Sequence, residues 1–133
     1  MRDIMSKIAI LTDSSCDMPQ ELADKYGIDI MSFHILLDDV DYVERESCTN
    51  TEFYDKMRMA KGVPSTAAIT PIQFCEKYCQ YVDEGYTDVI HVPINKSGSS
   101  TYNNALMAQG MLREERPEHH LKIHLLDPHT YSM

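Results

Sequence analysis

The chain is predicted to adopt an α/β fold, a mostly parallel sheet with helices on both faces, on the strength of two observations. Short apolar runs alternate with segments of helical period along the 133 residues, and the helical segments open and close with recognisable caps. Strands separated by helices at this spacing imply parallel βαβ crossovers. The length fits one compact domain, large enough to bury a core without disulfides or metals.

Each element has its own warrant. "KIAILTD" (7–13) is the first strand, nearly all apolar at its centre and therefore expected to be buried on both faces. In "DMPQELADKYG", Asp17 at the N-cap, Pro19 in the first turn, Gln20 at N3 and Gly27 at the far end describe a helix. "IDIMSFHILLD" (28–38) is the second strand. "LLDDVDYVERES" (36–47) breaks the alternation with a turn at Asp38-Asp39 and a short extended segment able to pair with that strand. "TNTEFYDKMRMA" starts a helix at Thr49 with Glu52 three residues on. Thr70, Pro71 and Gln73 open the next helix, which carries Cys75, Tyr78, Cys79 and Val82 on one face and stops at Gly85. "DVIHVPI" (88–94) is the third strand, also expected to be buried on both faces, and "HVPINKSGSSTYNNALMAQG" runs from it into a fourth helix. "KIHLLD" (122–127) is the fourth strand, with no helix after it.

Charge and composition exclude several functions. With 21 acidic against 12 basic residues, the net charge of −9 repels a phosphate backbone, so no nucleic acid is expected as a partner. Cys16, Cys48, Cys75 and Cys79 form no CxxC pair, and "MRDIMSKIAILTD" lacks the apolar core of a signal peptide. Reduced thiols in a cytoplasmic protein are the expectation. No apolar run approaches the roughly 20 residues that span a bilayer.

Chemistry concentrates where strands run into helices. In open α/β sheets ligands bind beyond the carboxyl ends of the strands, where helix N-termini present unsatisfied N–H groups. Three such places are rich in hydroxyls: "TDSSCD" (Thr12 to Asp17), "PSTAAITP" (Pro64 to Pro71) and "NKSGSST" (Asn95 to Thr101). Ser, Thr and Asp are preferred caps, so any one cluster could exist without a ligand. A cap uses one hydroxyl, whereas the last cluster offers four, with Gly98 allowing close approach of the backbone. Neutral donors at positive helix ends suit a carboxylate or phosphate, and Lys96 is the one cation in the cluster. The GxGxxG and GxxxxGK[ST] signatures are absent, which disfavours nucleotides, and the G-x-S-x-G elbow of serine hydrolases is absent too. His91 falls inside the third strand and reads as a core residue. His120 and His124, in strand-like sequence, sit too far apart for easy joint metal ligation. Cys75 and Cys79 read as small core residues, and no metal or other cofactor is expected.

These segments resemble one family. "KIAILTDSSCDMPQELADKYGIDI" is similar to the opening of the DegV family of bacterial fatty-acid-binding proteins, a strand followed by TDSS-x-D-x-P and a helix. "EGYTDVIHVPINKSGSSTYNNALMA" resembles that family's strand, hydroxyl-rich loop and helix, and "IHLLDPHTYSM" its later I-x-V-x-D-S segment. The resemblance implies that residues 1–133 are the N-terminal α/β domain of a two-domain, non-catalytic carrier, with the second domain absent from this chain. It implies a long-chain fatty acid as ligand, its carboxylate held by hydroxyls and presented to a partner fatty acid kinase. The family's carboxylate-contacting threonine falls on Thr66, and its loop serine positions fall on Asn95, Lys96 and Ser99. Ser97 and Ser14 complete the expected ligand-binding set. Two departures stand out: "SQPS" has become "AAIT", and the paired serines at the loop start are Asn95 and Lys96. Without a second domain, an exposed apolar face would favour self-association. The rival reading is an enzyme acting on a small anion, a phosphatase or acyl transferase using Asp13 or Ser99; a third is a remnant that has lost lipid binding.

Overall fold

A computed structural model of the chain describes residues 6–47 and 49–129. The leading residues 1–5, Cys48 and the closing 130–133 lie outside them, so the reading of Cys48 as a reduced thiol and the end of the "IHLLDPHTYSM" resemblance fall there. In chain order the elements are β1 (Ile8–Asp13), a 3₁₀ turn (Ser14–Cys16), α1 (Gln20–Tyr26), β2 (Ile28–Met31), β3 (His34–Leu37), β4 (Val40–Val43), α2 (Asn50–Met59), β5 (Ser65–Ala67), α3 (Pro71–Asp83), β6 (Asp88–Val92), α4 (Thr101–Glu115) and β7 (Lys122–Leu125).

The four apolar runs supply the main sheet, which is wholly parallel with strand order β2-β1-β6-β7. From β1 the chain moves to one edge, and from β6 it moves to the other. Right-handed crossovers in that order put α1 on one face of the sheet and α4 on the other. A second, antiparallel sheet of order β4-β3-β5 adjoins it.

That second sheet corrects the reading of 28–38 as one strand. The run divides at Ser32-Phe33: β2 stays in the parallel sheet and β3 leaves it. Phe33 is the pivot, buried, its N–H donating to Ser14 Oγ at 3.0 Å and its carbonyl accepting from Glu44 N–H at 2.9 Å. No glycine or proline marks the division, so apolar continuity concealed it. The extended segment after Asp38-Asp39 does pair with the preceding strand, as β3–β4. Both aspartates have left-handed backbone (φ 49° and 64°), the conformation of a tight hairpin turn. β5 escaped the sequence because "STA" is short, small and exposed.

Most caps follow the sequence. Thr49 with Glu52 and Thr70 with Gln73 both form reciprocal capping boxes, and Gly27 closes α1 at φ 65°. Asp17 does not cap α1. The 3₁₀ turn carries it into left-handed backbone at φ 56°, and Pro19 occupies the N-cap without a side-chain bond.

The core lies between the sheet and the α3–α4 layer, joining Ala9 and Leu11 of β1 and Val89 of β6 to Phe74, Tyr78 and Tyr81 of α3 and Ala105, Ala108 and Leu112 of α4. The small residues of α4 let it lie close against its neighbours. The opposite side of the sheet is barely covered. Ile8 is 55% and Ile10 36% exposed, so the expectation that β1 is buried on both faces fails, because one seven-residue helix cannot roof a four-stranded sheet. Ile90 of β6 is likewise only partly buried, so the both-face expectation for the third strand fails as well.

Candidate functional site at the strand ends

Strand order reverses between β1 and β6, so the crevice beyond their carboxyl ends is the topological switch point where ligands of such sheets bind. Three neighbouring strand ends are tied together there. Thr12 Oγ1 donates to Val92 O at 2.7 Å. Asp13 accepts from Ile94 N–H at 2.7 Å through one carboxylate oxygen and from Ser15 N–H at 3.0 Å through the other, which also receives the Ser15 hydroxyl. Asp127, just past β7, accepts from Lys96 N–H at 3.3 Å and from His129 N–H at 3.0 Å. The loop of residues 93–100 is therefore anchored at both sides.

Asp13 is fully buried. Burial raises its carboxyl above the ordinary aspartate value, against the opposing effect of the Ser15 and Ile94 hydrogen bonds. A carboxylate with both oxygens engaged inside the protein holds loops together. It is poorly placed to attack a substrate, and the small-anion enzyme reading loses its first candidate.

Within the anchored loop, Asn95 accepts from Ser97 N–H at 3.2 Å with its side chain and from Gly98 N–H at 3.0 Å with its backbone. Ser99 Oγ accepts from Thr101 N–H at 3.2 Å and pairs with Thr101 Oγ1 at 2.8 Å. Ser100 occupies the N-cap of α4 and makes no side-chain bond to it. Ser97 and Lys96 are exposed, and the Lys96 ammonium lies 5.3 Å from the Tyr102 ring centre. Asn95, Lys96, Ser97 and Ser99 thus gather at the start of one helix.

Ser14 and Thr66 stand on other elements, the turn after β1 and β5. Ser14 is 1% exposed, accepts from Phe33 N–H and donates to Glu44 Oε2 at 2.7 Å. Burial also raises Glu44, with the Ser14 hydrogen bond opposing. The Ser14 hydroxyl links Phe33, between β2 and β3, to Glu44, just past β4, and its single proton is committed to the glutamate. Thr66 is exposed on β5, facing Ile35 across the antiparallel ladder, and lines a shallow cavity with His34, Leu36, Ala68, Thr70 and Gln73. Asn104 Nδ2 donates to Ile69 O at 2.9 Å, clamping the chain between β5 and α3 against the first turn of α4.

Sequence reasoning missed the roles of Asp127, Thr101 and Asn104. The recurrence of a strand followed by aspartate, in "ILTD" and "HLLD", was the available signal for the first. Nothing local announces Asn104, whose partner is 35 residues away. His91 is the core residue anticipated: fully buried, with Nδ1 2.7 Å from Tyr78 OH and its ring edge-on to Phe74. Burial lowers its pKa to about 3.

A family description, the DegV family of uncharacterised proteins, matches residues 7–133. The chain belongs to the DegV family. A DegV domain-containing protein from Clostridium perfringens is 35% identical over 111 residues, 84% of this chain and 39% of that protein. Two Thermotoga maritima structures share the fold: a DegV lipid-binding protein (29% identity, TM-score 0.80, 95% of this chain and 43% of that one), and a protein described as revealing a fatty acid binding function (28% identity, TM-score 0.81, 96% and 45%). The chain thus spans about two fifths of the length of these DegV relatives. Among the described residues, no helix is long and apolar enough to cross a membrane.

Proposed function

We propose that this DegV chain is the carboxylate-binding domain of a cytoplasmic fatty-acid carrier. Thr66 and Ser99 donate to the carboxylate of a long-chain acid, Asn95, Ser97 and Lys96 surround it, and Ser14 completes the set from the turn after β1, where it is held by Phe33 and Glu44. The single observation that carries this reading is the loop of residues 93–100, pinned at the switch point by Asp13 and Asp127 and placing its hydroxyls at the start of α4. Neutral donors at a helix N-terminus favour an anion without a full counter-charge. The fatty acid and lipid binding of the Thermotoga relatives supports the same ligand class. In the proposed cycle a partner kinase phosphorylates the bound carboxylate, and the carrier supplies position only.

Mass spectrometry of lipid extracted from the purified chain, compared with Thr66→Ala and Ser99→Ala, tests this directly. The expected result is fatty acid in the wild type and at least a several-fold loss in each variant. Equal lipid in all three would remove both residues from the site. Turnover of generic phosphate or acyl esters that disappears in Ser99→Ala would replace the carrier with an enzyme.

A further inference from the structure

Between α3 and α4, two cysteines and one glutamate converge. Cys75 and Cys79 are four residues apart on α3 and so share a helix face. Glu115 is the last residue of α4 and reaches across the helix pair. Its Oε2 lies 3.8 Å from Cys75 Sγ and 3.7 Å from Cys79 Sγ, and the three atoms are mutually within 4.8 Å.

We infer that Cys75, Cys79 and Glu115 form a site for one divalent cation of the zinc class, the fourth position being left to water. Tetrahedral coordination with zinc–sulfur bonds of about 2.3 Å and a zinc–oxygen bond of about 2.1 Å places sulfur and oxygen roughly 3.6 Å apart. The observed separations differ from that by a few tenths of an ångström, within reach of small rotamer adjustments. Two sulfur ligands select a borderline-soft ion over magnesium or calcium, which take oxygen shells. Cys75 is buried, Cys79 half-buried and Glu115 exposed, so the group runs from core to solvent and gives an ion a way in. As each sulfur–metal bond forms, its thiol proton leaves to solvent. The ion would bridge the middle of α3 to the carboxyl-terminal end of α4, helices joined further along by the Arg116–Asp83 ion pair. Without metal, the sulfur atoms make weak hydrogen bonds to the Glu115 carboxylate.

Cobalt(II) titration of the reduced, chelator-treated chain reads the site without reference to lipid. A saturable thiolate-to-cobalt charge-transfer band is expected at one equivalent, displaced by zinc. Cys79→Ser should abolish the band, Glu115→Gln should weaken cobalt binding about tenfold or more, and Cys16→Ser with Cys48→Ser should leave it intact. Circular dichroism of each variant separates loss of the site from loss of the fold, and the exposed position of Glu115 makes Glu115→Gln the variant least open to that confusion. No band in the wild type, a band that survives Cys79→Ser, or unchanged affinity in Glu115→Gln would overturn the assignment.

Discussion

Two buried polar side chains carry opposite lessons. Asp13 contributes by accepting the Ile94 N–H from across the β1–β6 junction and the Ser15 N–H and O–H from its own turn. In Asp13→Asn an amide NH₂ replaces one acceptor oxygen and meets a donor, so a loss of about 1–3 kcal/mol is expected in urea unfolding. His91 contributes as a neutral ring. The unfolded chain binds a proton at His91 near the ordinary value of 6.5, whereas the native chain does so only near 3. The stability His91 provides is therefore present above pH 6.5 and drains as pH falls toward 3, at up to about 1.4 kcal/mol per pH unit. Asp13 and Glu44, raised by burial, act in the opposite sense on the acid side. They remain in His91→Phe, so the difference between the two pH–stability curves isolates the histidine. A slope in His91→Phe equal to that of the wild type would contradict the buried neutral ring.

At the scale of elements, capping and turn chemistry decide local stability. Thr70 starts the helix that supplies Phe74, Tyr78 and Tyr81 to the core, and its hydroxyl accepts from Gln73 N–H at 3.2 Å. Thr70→Ala should cost about 1 kcal/mol, visible as a lower thermal midpoint. The β3–β4 hairpin offers the reverse experiment. Asp38 uses its left-handed position to accept from Lys61 and Gly62 N–H at 3.0 Å each, while Asp39 also sits at positive φ. Asp39→Gly should stabilise the hairpin by roughly 0.5–1 kcal/mol, since glycine reaches that backbone region without a Cβ penalty and relieves charge crowding against Asp38 and Asp41. Destabilisation by Asp39→Gly would mean that its carboxylate has a role in the turn.

For the whole molecule, the uneven roofing of the parallel sheet matters most. Ile10 aligns with Ile28 on one side and Ile90 on the other, and Ile8 and Ile10 stand open beside them. Isolated at high concentration, the chain should self-associate through this face. Sedimentation velocity checks it: Ile8→Lys with Ile10→Lys should return the chain to monomer, and a wild type monomeric throughout would refute the idea. Lipid affinity belongs to the same scale. Each buried CH₂ is worth about 0.8 kcal/mol, so a fully enclosed chain gains roughly 10 kcal/mol and an acyl chain in an open groove far less. The lipid that this chain alone retains is therefore expected at low occupancy even with every carboxylate donor in place, and the variants lower it further.

Local chemistry sufficed for much of this protein. Apolar runs located the four strands of the parallel sheet; Thr49, Thr70 and Gly27 placed helix ends; and the hydroxyls from Asn95 to Thr101 marked a strand-to-helix junction, because caps and periodicity act over a few residues. The division of 28–38 at Phe33, the β5 strand, the burial of Asp13 with both oxygens engaged, the Asn104 clamp on Ile69 and the meeting of Glu115 with Cys75 and Cys79 were decided only by tertiary packing. Each depends on at least one partner 19 to 81 residues away along the chain, and the free energy that selects such contacts comes from burying groups together, which no short window of sequence contains.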